Sequence, residues 1–311
     1  MSVRKFFKLN LLFKILINSG GAMNLFIKGQ IPWNKNPIRK VCLNCENEFF
    51  VCKSIALKTK FCDINCKLNY KYKLAKEFKL NKDLAELIGI IIGDGCINKI
   101  NHRPGYRIFI SGNKIEDKEY FDFYLKDLIY KCLNINSKPF IASNGAYILQ
   151  FQNEPFRIFL NSLGICSPKA KIVSIPQEIK NNEKLLKACI RGIFDSDFTL
   201  ICKQRKKEDL HYYPRITAQF ASNRLVKDLE KSLKEMGFTL NCKYNYLRKD
   251  KRGFENITNF INLDGPNNVE RWMSIIGSSN PRILTRYFVW KKYGHLKPKT
   301  TIMERKKLLM G

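Results

Sequence analysis

Acidic residues are scarce in this sequence. Its 311 residues contain 27 Asp and Glu against 56 Lys and Arg, a formal net charge of +29, and no acidic residue precedes Glu46. Such an excess opposes compaction unless a polyanion binds, which favours nucleic acid as the partner and leaves an anionic membrane as the alternative. Both ends of the chain are especially basic and are expected to lie on phosphates. Because 45% of the residues are apolar, wholesale disorder is excluded.

Long apolar runs are absent as well. The run Leu87–Ile92 lies between Glu86 and Asp94, and it falls far short of the roughly 18 residues that a membrane span requires. No membrane-spanning protein is therefore expected. Lysines interrupt the apolar opening at 1–22, which fits an upstream extension better than an export signal. The expected location is cytoplasmic and nucleoid-associated, or an organelle matrix if that opening is a transit peptide.

Four of the eleven cysteines form two close pairs. Cys42-Leu-Asn-Cys45 and Cys62-Asp-Ile-Asn-Cys66 flank a short, hairpin-like segment. Without an export signal the thiols are expected to stay reduced, and this spacing is typical of one tetrahedral, structural Zn²⁺. Zinc binding would stabilise a segment that has few core residues of its own. Cys52, between the pairs, is either an ordinary thiol or a rival ligand.

A basic arm precedes the cysteine pairs. Lys28–Asn36 contains a glycine and a proline, which discourage helix, and its lysines flank Trp33. This composition favours an extended segment that follows a phosphate backbone. The arm and the cysteine pairs are predicted to form one domain, residues 28–80, after an uncertain extension at 1–27.

An internal repeat organises the rest of the chain. Asp83–Gly95 and Leu185–Asp197 share an apolar run, small residues four positions apart and a final aspartate. Further on, Leu163–Lys169 matches Ile276–Arg282. Two tandem copies of one unit are therefore predicted. The expected domains are a first repeat, a second repeat and a basic tail: 83–182, 183–292 and 293–311.

Each repeat is predicted to contain a helix, two strands, a helix, two strands and a helix. Arg107-Ile108 matches Arg215-Ile216, and in the second copy Arg215, Thr217 and Gln219 alternate with apolar residues. A period of two indicates a strand with one apolar and one hydrogen-bonding face. The predicted fold class is α+β, with tandem αββαββα repeats and two antiparallel sheets whose polar faces remain open.

Small residues one turn apart line one face of each repeat helix: Gly89 with Gly93, and Gly192 with Ser196. Two such helices can approach until their backbones nearly touch, which would bring Asp94 beside Asp197. Adjacent carboxylates at helix C-termini repel each other and the helix dipole unless a cation binds. Oxygen ligands of this kind suit Mg²⁺ and phosphodiester cleavage. The alternative for the first copy is a buried strand that ends in a turn, but the helix-forming residues 183–189 favour helix in both copies.

The repeat resembles the LAGLIDADG homing endonucleases in their two-motif, single-chain form. The likeness covers residues 83–292, with the motifs at Leu87–Gly95 and Ile190–Phe198. Phe198 replaces the closing glycine of the motif, so the turn after the second helix must avoid positive φ or bear strain. Ile92 replaces an earlier aspartate of the motif, which the second copy keeps.

This resemblance implies the site residues. Asp94 and Asp197 would bind catalytic Mg²⁺, helped by the main-chain carbonyls of Gly93 and Ser196, in one active site per DNA strand. It also implies a pseudo-twofold saddle of two sheets along the major groove of a long, asymmetric target. The arm around Trp33 likewise resembles DNA-binding boxes that accompany many mobile-element nucleases, and the cysteine pairs resemble their small zinc modules.

Basic and amide side chains are the expected auxiliary and DNA-contacting residues. The resemblance implies a lysine or glutamine near each metal, for which the candidates are Gln150, Lys203, Lys171 and Arg286; each is otherwise a solvated surface group. DNA contacts are expected from outward strand positions, most of them to phosphates. These positions are Arg107 and Gln152 in the first repeat, and Arg205, Arg215, Gln219, Lys243 and Lys249 in the second.

The sequence thus predicts a monomeric, site-specific double-strand DNA endonuclease of a mobile intron or free-standing element. Mg²⁺ is its expected catalytic cofactor, Zn²⁺ its structural cofactor and double-stranded DNA its partner. One alternative is an intron maturase or a DNA-binding regulator on the same scaffold, without cleavage. Another is a zinc-stabilised nucleic-acid adaptor with no catalytic role.

Overall fold

The computed structural model describes residues 37–100, 105–204, 211–249, 253 and 255–311, and the chain divides into two units at Leu68 and Asn69. The arm Lys28–Asn36, the extension before it and Arg205 lie outside the described residues. Among the residues that are described, no helix has the length and apolar character to cross a membrane.

The first unit contains a hairpin and the start of a helix. Strands β1 (Ile38–Val41) and β2 (Glu48–Val51) pair antiparallel, and helix α1 runs from Ile64 to Lys76, across the boundary of the two units. The hairpin lies earlier than expected: it encloses Cys42 and Cys45 in its turn and does not lie between the cysteine pairs. The turn closes there because Glu46 adopts the left-handed region (φ 62°) and donates its N–H to the carbonyl of Cys42 at 3.0 Å.

The first repeat begins with a buried helix. Helix α2 (Lys82–Ile92) starts after Asn81, whose side chain accepts the N–H of Leu84 at 2.8 Å. It ends because Gly93 leaves the helical conformation (φ −73°, ψ −99°). Residues 84–92 are all buried. The prediction of a helix is therefore confirmed, and the alternative of a strand is wrong.

The remaining elements of the first repeat form one sheet and its covering helices. The strands are antiparallel in the order β3-β4-β6-β5. A π-helical segment, Tyr120–Leu125, leads into the helix between the two hairpins. The bounds are β3 Gly95–Lys99, β4 Tyr106–Gly112, α3 Lys126–Leu133, β5 Phe140–Ile141, β6 Tyr147–Phe151 and α4 Glu154–Ser162, after which α5 (Gln177–Lys180) leads to the second repeat.

The second repeat has the same order of elements. Helix α6 (Glu183–Asp197) is capped by Asn182, whose side chain accepts the N–H of Leu185 at 3.2 Å. The four strands are antiparallel in the order β7-β8-β10-β9. The bounds are β7 Thr199–Gln204, β8 His211–Phe220, α7 Asn223–Glu235, β9 Asn241–Lys249, β10 Glu255–Asp264 and α8 Pro266–Ile275. The predicted α+β class, with αββαββα units, antiparallel sheets and an N-terminal cysteine cluster, is confirmed.

Each sheet has one buried face and one open face. In β8, Ile216, Ala218 and Phe220 are buried, whereas Gln219 between them is exposed. In β4 the same alternation buries Ile108 and Ile110 and leaves the side chains between them partly exposed. The period of two in the sequence therefore separates a core face from a polar face, as predicted.

The chain ends in two further helices, α9 (Pro281–Tyr293) and α10 (Ile302–Met310). Arg305 of α10 is fully buried and pairs with Glu116 of the first repeat at 2.5 Å, and Lys306 pairs with Glu119. A buried guanidinium needs a carboxylate partner. These two cations of the basic tail are therefore neutralised within the protein, contrary to the expectation that the tail faces phosphates.

Candidate functional site

Helices α2 and α6 cross with their backbones in contact. A Cβ added to Gly89 would lie 2.1 Å from the carbonyl oxygen of Cys189, and one added to Gly192 would lie 2.2 Å from that of Glu86. No side chain fits at such distances, so only glycine permits this crossing. An ion pair between Arg191 and the fully buried Glu86 also joins the helices. The predicted close approach is confirmed.

The crossing brings the C-terminal ends of both helices together. A Cβ on Gly93 would lie 2.0 Å from Oγ of Ser196 and 2.8 Å from Oδ2 of Asp197. The carboxylate of Asp197, which ends α6, therefore lies against the backbone that ends α2. Asp94 follows Gly93 directly. The aspartate just after α2 and the aspartate that ends α6 therefore belong to the same site.

Both aspartates are partly buried, and their charged forms are destabilised. Burial raises the pKa of Asp94 to about 7, the charge of Asp197 adds to the rise, and Arg282 is the strongest opposing charge. Burial also raises the pKa of Asp197 to about 6, with Lys169 as the strongest opposing charge. Two carboxylates in this state, with main-chain carbonyls beside them, form a donor set of oxygens that fits a hard divalent cation.

The two departures from the repeat motif have structural explanations. Phe198 adopts an extended conformation (φ −86°, ψ 159°), so the turn after α6 avoids positive φ. Its ring is fully buried, with its centroid 5.7 Å from that of Trp272. Asp195 occupies the motif position at which the first repeat has Ile92. Its carboxylate accepts the N–H of Ser279 at 2.8 Å and so holds the loop before α9.

Two cations lie on the carbonyl ends of the repeat helices. The ammonium of Lys169 donates to the carbonyls of Ile92 (2.5 Å) and Gly93 (2.9 Å) at the end of α2. A guanidinium nitrogen of Arg282 donates to the carbonyls of Asp195 (3.1 Å) and Ser196 (3.2 Å) at the end of α6. Each repeat thus supplies one cation that neutralises the negative end of its own helix.

The sequence candidates Lys171 and Arg286 lie close to these two cations in the chain. The matched segments end on Lys169 and Arg282 themselves, which is the sequence signal that identifies them. Lys171 is exposed. Arg286 donates to Oγ1 of Thr199 at 2.8 Å, and burial lowers its pKa to about 10.

The other two auxiliary candidates lie on the open faces of the sheets. Gln150 stands opposite Phe109 in the first sheet, and Lys203 stands opposite Tyr213 in the second. Both side chains are partly exposed. Their strands therefore place them on the polar faces, whereas Lys169 reaches its helix end from a loop and Arg282 from the first turn of α9.

Several predicted DNA-contacting residues already have partners within the second sheet. Arg215 pairs with Asp264, with 2.7 Å between Nη2 and Oδ2, and Lys249 pairs with Glu255 at 3.0 Å. The side-chain oxygen of Gln219 accepts a hydrogen bond from Arg248 at 3.1 Å. Arg248, which the sequence reasoning missed, therefore belongs to the same polar surface.

The remaining predicted contacts are less constrained. Arg107 stands opposite Asn98 in the first sheet, on the partly exposed face. Gln152 is exposed just beyond β6, and Lys243 is exposed on β9. These side chains lie on the open surface where a large polyanion has access.

The four paired cysteines form a candidate metal centre in the first unit. The Sγ atoms of Cys42, Cys45, Cys62 and Cys66 all lie within 4.8 Å of one another, and those of Cys45 and Cys62 are 3.7 Å apart. Tetrahedral Zn–S bonds of about 2.3 Å place sulfurs about 3.8 Å apart, so this spacing fits zinc. Burial opposes ionisation of Cys42, but backbone hydrogen bonds from Cys45 and Cys62 outweigh it and lower its pKa to about 6. Cys52 is not part of the group.

Comparison with known proteins gives distant similarities. No family model matches the chain. A replication factor C small subunit of Methanocaldococcus jannaschii is 24% identical over 224 residues, which are 70% of this chain and 10% of that protein. A second protein of the same organism, described as uncharacterized, is 23% identical over 180 residues, which are 56% of this chain and 63% of that protein. The chain thus spans less than two thirds of either relative.

Three solved structures illustrate the similarities of shape. Variants of the homing endonuclease I-DmoI have a TM-score of 0.44 at 21% identity, covering 63% of this chain and 96% of theirs. I-SmaMI bound to an uncleaved DNA target with calcium ions has a TM-score of 0.42 at 14% identity, covering 74% and 98%. The homing endonuclease I-WcaI on its DNA recognition sequence has a TM-score of 0.40 at 16% identity, covering 70% and 88%.

Proposed function

We propose that this chain is a site-specific double-strand DNA endonuclease, the homing enzyme of a mobile intron or free-standing element. The observation that carries the proposal is the pair of partly buried aspartates, Asp94 and Asp197, at the ends of two helices in backbone contact. Repulsion between these carboxylates destabilises the site, and a divalent cation would relieve it. Open polar sheet faces on a chain of net charge +29 supply a surface for DNA in the same molecule.

Each cation would be held by both repeats. Asp197 lies against Gly93, so we assign half-site A to the Asp197 carboxylate, the Gly93 carbonyl and Lys169. By the same symmetry half-site B has the Asp94 carboxylate, the Ser196 carbonyl and Arg282. A carbonyl oxygen has two lone pairs, so it can accept from the basic side chain and still face a metal.

The ligands favour Mg²⁺, because it takes oxygen donors and binds through one or two carboxylates together with substrate phosphate. When bound, the ion would polarise the phosphodiester and activate a water molecule. The basic residue of each half-site would hold the scissile phosphate and balance charge that develops on its oxygens. One half-site per strand gives a double-strand break.

The sheets would read the target. Two repeats in one chain carry different residues on their open faces, so an asymmetric DNA site and a monomer are expected. Most basic residues would hold phosphates, while residues such as Arg107 and Gln219 would contact base edges at about 1–3 kcal/mol of discrimination each. The cysteine cluster, with zinc, and the arm Lys28–Asn36 would make further contacts to DNA phosphates.

The experiment uses the genomic flanks of the coding element. Joining the two flanks reconstructs the uninterrupted target, which is cloned into a plasmid and incubated with the protein and either Mg²⁺ or EDTA. We expect linear plasmid with Mg²⁺ only, and no cleavage of a plasmid in which one half of the target is scrambled. If the protein binds the target but no divalent cation supports cleavage, the proposed nuclease function is wrong, and the function is that of a DNA-binding regulator or maturase.

A further inference from the structure

The two half-sites differ in how their basic residue is held. The ammonium of Lys169 donates to the two carbonyls at the end of α2. Arg282 has an additional partner from the other repeat, because its Nε lies 3.0 Å from Oδ1 of Asp117.

Asp117 is the centre of a buried network between the repeats. It is 7% exposed and accepts the N–H of Asn113 at 2.8 Å. It also accepts from the side chain of Asn280 at 3.1 Å, which in turn donates to the carbonyl of Asp195 at 3.0 Å. Asp117 thus fixes both Arg282 and Asn280, and both bond to carbonyls at the end of α6.

Among its described residues, the second repeat has no equivalent of Asp117. In the register that matches Arg107 with Arg215, the corresponding position is Leu225, which is 1% exposed in the core. In the part of the chain that the structure describes, the basic residue of half-site A therefore lacks a carboxylate partner like the one that Asp117 provides in half-site B. The two repeats therefore depart from pseudo-symmetry in the surroundings of Lys169 and Arg282.

We propose that Asp117 is a positioning residue that acts through Arg282, so that the two DNA strands are cut by unequally built half-sites. The inference rests on the proposed nuclease function. A guanidinium held by a carboxylate and by two carbonyls has one orientation, whereas a lysine held by carbonyls alone adapts to the phosphate. Removing the charge of Asp117 releases Arg282 and leaves half-site A intact.

The test measures the two strands separately. The target duplex is labelled differently on each strand, and single-turnover cleavage with Mg²⁺ is followed for wild type and Asp117→Asn. We expect one strand to be cut roughly 10- to 100-fold more slowly, because a small misplacement of a catalytic group has effects of this size. The other strand should change by less than about threefold, so nicked product accumulates.

Matched variants separate positioning from folding. Asp122→Asn removes an acid from the same repeat that bonds Lys118 and Tyr147, and it should leave both strand rates unchanged. In an Arg282→Met background, Asp117→Asn should cause no further slowing of the affected strand. If Asp117→Asn is too unstable to assay, Arg282→Lys is tested in its place. This variant keeps the positive charge and should slow cleavage of the same strand.

Equal slowing of both strands, or an Asp117→Asn effect that persists in the Arg282→Met background, overturns the inference. An unchanged strand ratio in both Asp117→Asn and Arg282→Lys also overturns it. Failure of the proposed function has a different signature, because the wild-type protein would then cut neither strand.

Discussion

Replacing Gly192 by alanine tests the helix crossing that creates the site. The new Cβ would lie 2.2 Å from the carbonyl oxygen of Glu86 and 2.8 Å from the backbone nitrogen of Ile90. Both neighbours are backbone atoms, so the helices must separate by about 1 Å to restore ordinary contact. Such overpacking costs about 1–3 kcal/mol. It is opposed by about 1 kcal/mol from the better helix propensity of alanine.

The expected net loss is therefore about 0–2 kcal/mol, which corresponds to a Tm lower by up to about 8 °C for a unit of this size. The sign is informative, because alanine in a helix without this contact would raise the Tm. Separation of the helices also moves Asp197 relative to Gly93, and cleavage with Mg²⁺ should fall about 100-fold.

Thermal unfolding followed by circular dichroism and the plasmid cleavage assay measure the two effects. Gly89→Ala should behave like Gly192→Ala, since its Cβ meets the carbonyl of Cys189. Lys231→Ala, on the exposed face of α7, is the control and should change stability by less than about 0.5 kcal/mol. A higher Tm for Gly192→Ala, or cleavage at the wild-type rate, would refute the crossing.

Three further predictions follow from the described residues. The folded-state pKa values of Asp94 (about 7) and Asp197 (about 6) lie above the ordinary 3.8. The folded metal-free protein therefore binds protons more tightly than the unfolded chain, and it gains stability as the pH falls from about 7 towards 4. The Asp94→Asn/Asp197→Asn double variant should be more stable than wild type at pH 8 and lose this advantage progressively towards pH 4 in urea titrations; a pH-independent difference contradicts the assignment. Purified protein should contain one zinc ion per chain by mass spectrometry, Cys62→Ser should lose it, and Cys52→Ser should keep it; loss from Cys52→Ser identifies a different ligand set. Arg305→Met leaves a carboxylate without its buried partner and should destabilise the protein by about 3–5 kcal/mol in urea, and a loss below about 1 kcal/mol would show that α10 contributes little.

Local patterns predicted most of the fold. The alternation around Ile216 identified the sheet faces, and the spacing of Gly89 and Gly93 identified the helix face that permits backbone contact. Both inferences depend on periodicity within a few residues, which the sequence displays directly. The turn at Cys42–Cys45 was misplaced because the left-handed conformation of Glu46 is not one that its residue type favours.

The residues around the carboxylates were harder to predict, because segments far apart in sequence supply them. Lys169 reaches α2 from a loop near the end of the first repeat, and Arg282 reaches α6 from the first turn of α9. The internal match of the two segments contained this information, but the match does not show which of two nearby basic residues points inward. Asp117 was missed because its importance arises from Arg282 in the other repeat.

The central claim is that one aspartate from each repeat binds the divalent cation that cleaves DNA. The most direct test compares Asp94→Asn and Asp197→Asn with wild type on the reconstructed target, measuring cleavage with Mg²⁺ and target binding in parallel. Each variant should bind the duplex as wild type does and make the double-strand break at least about 1,000-fold more slowly, because a metal contributes several kcal/mol to such a reaction. Double-strand cleavage at the wild-type rate by either variant would contradict the claim.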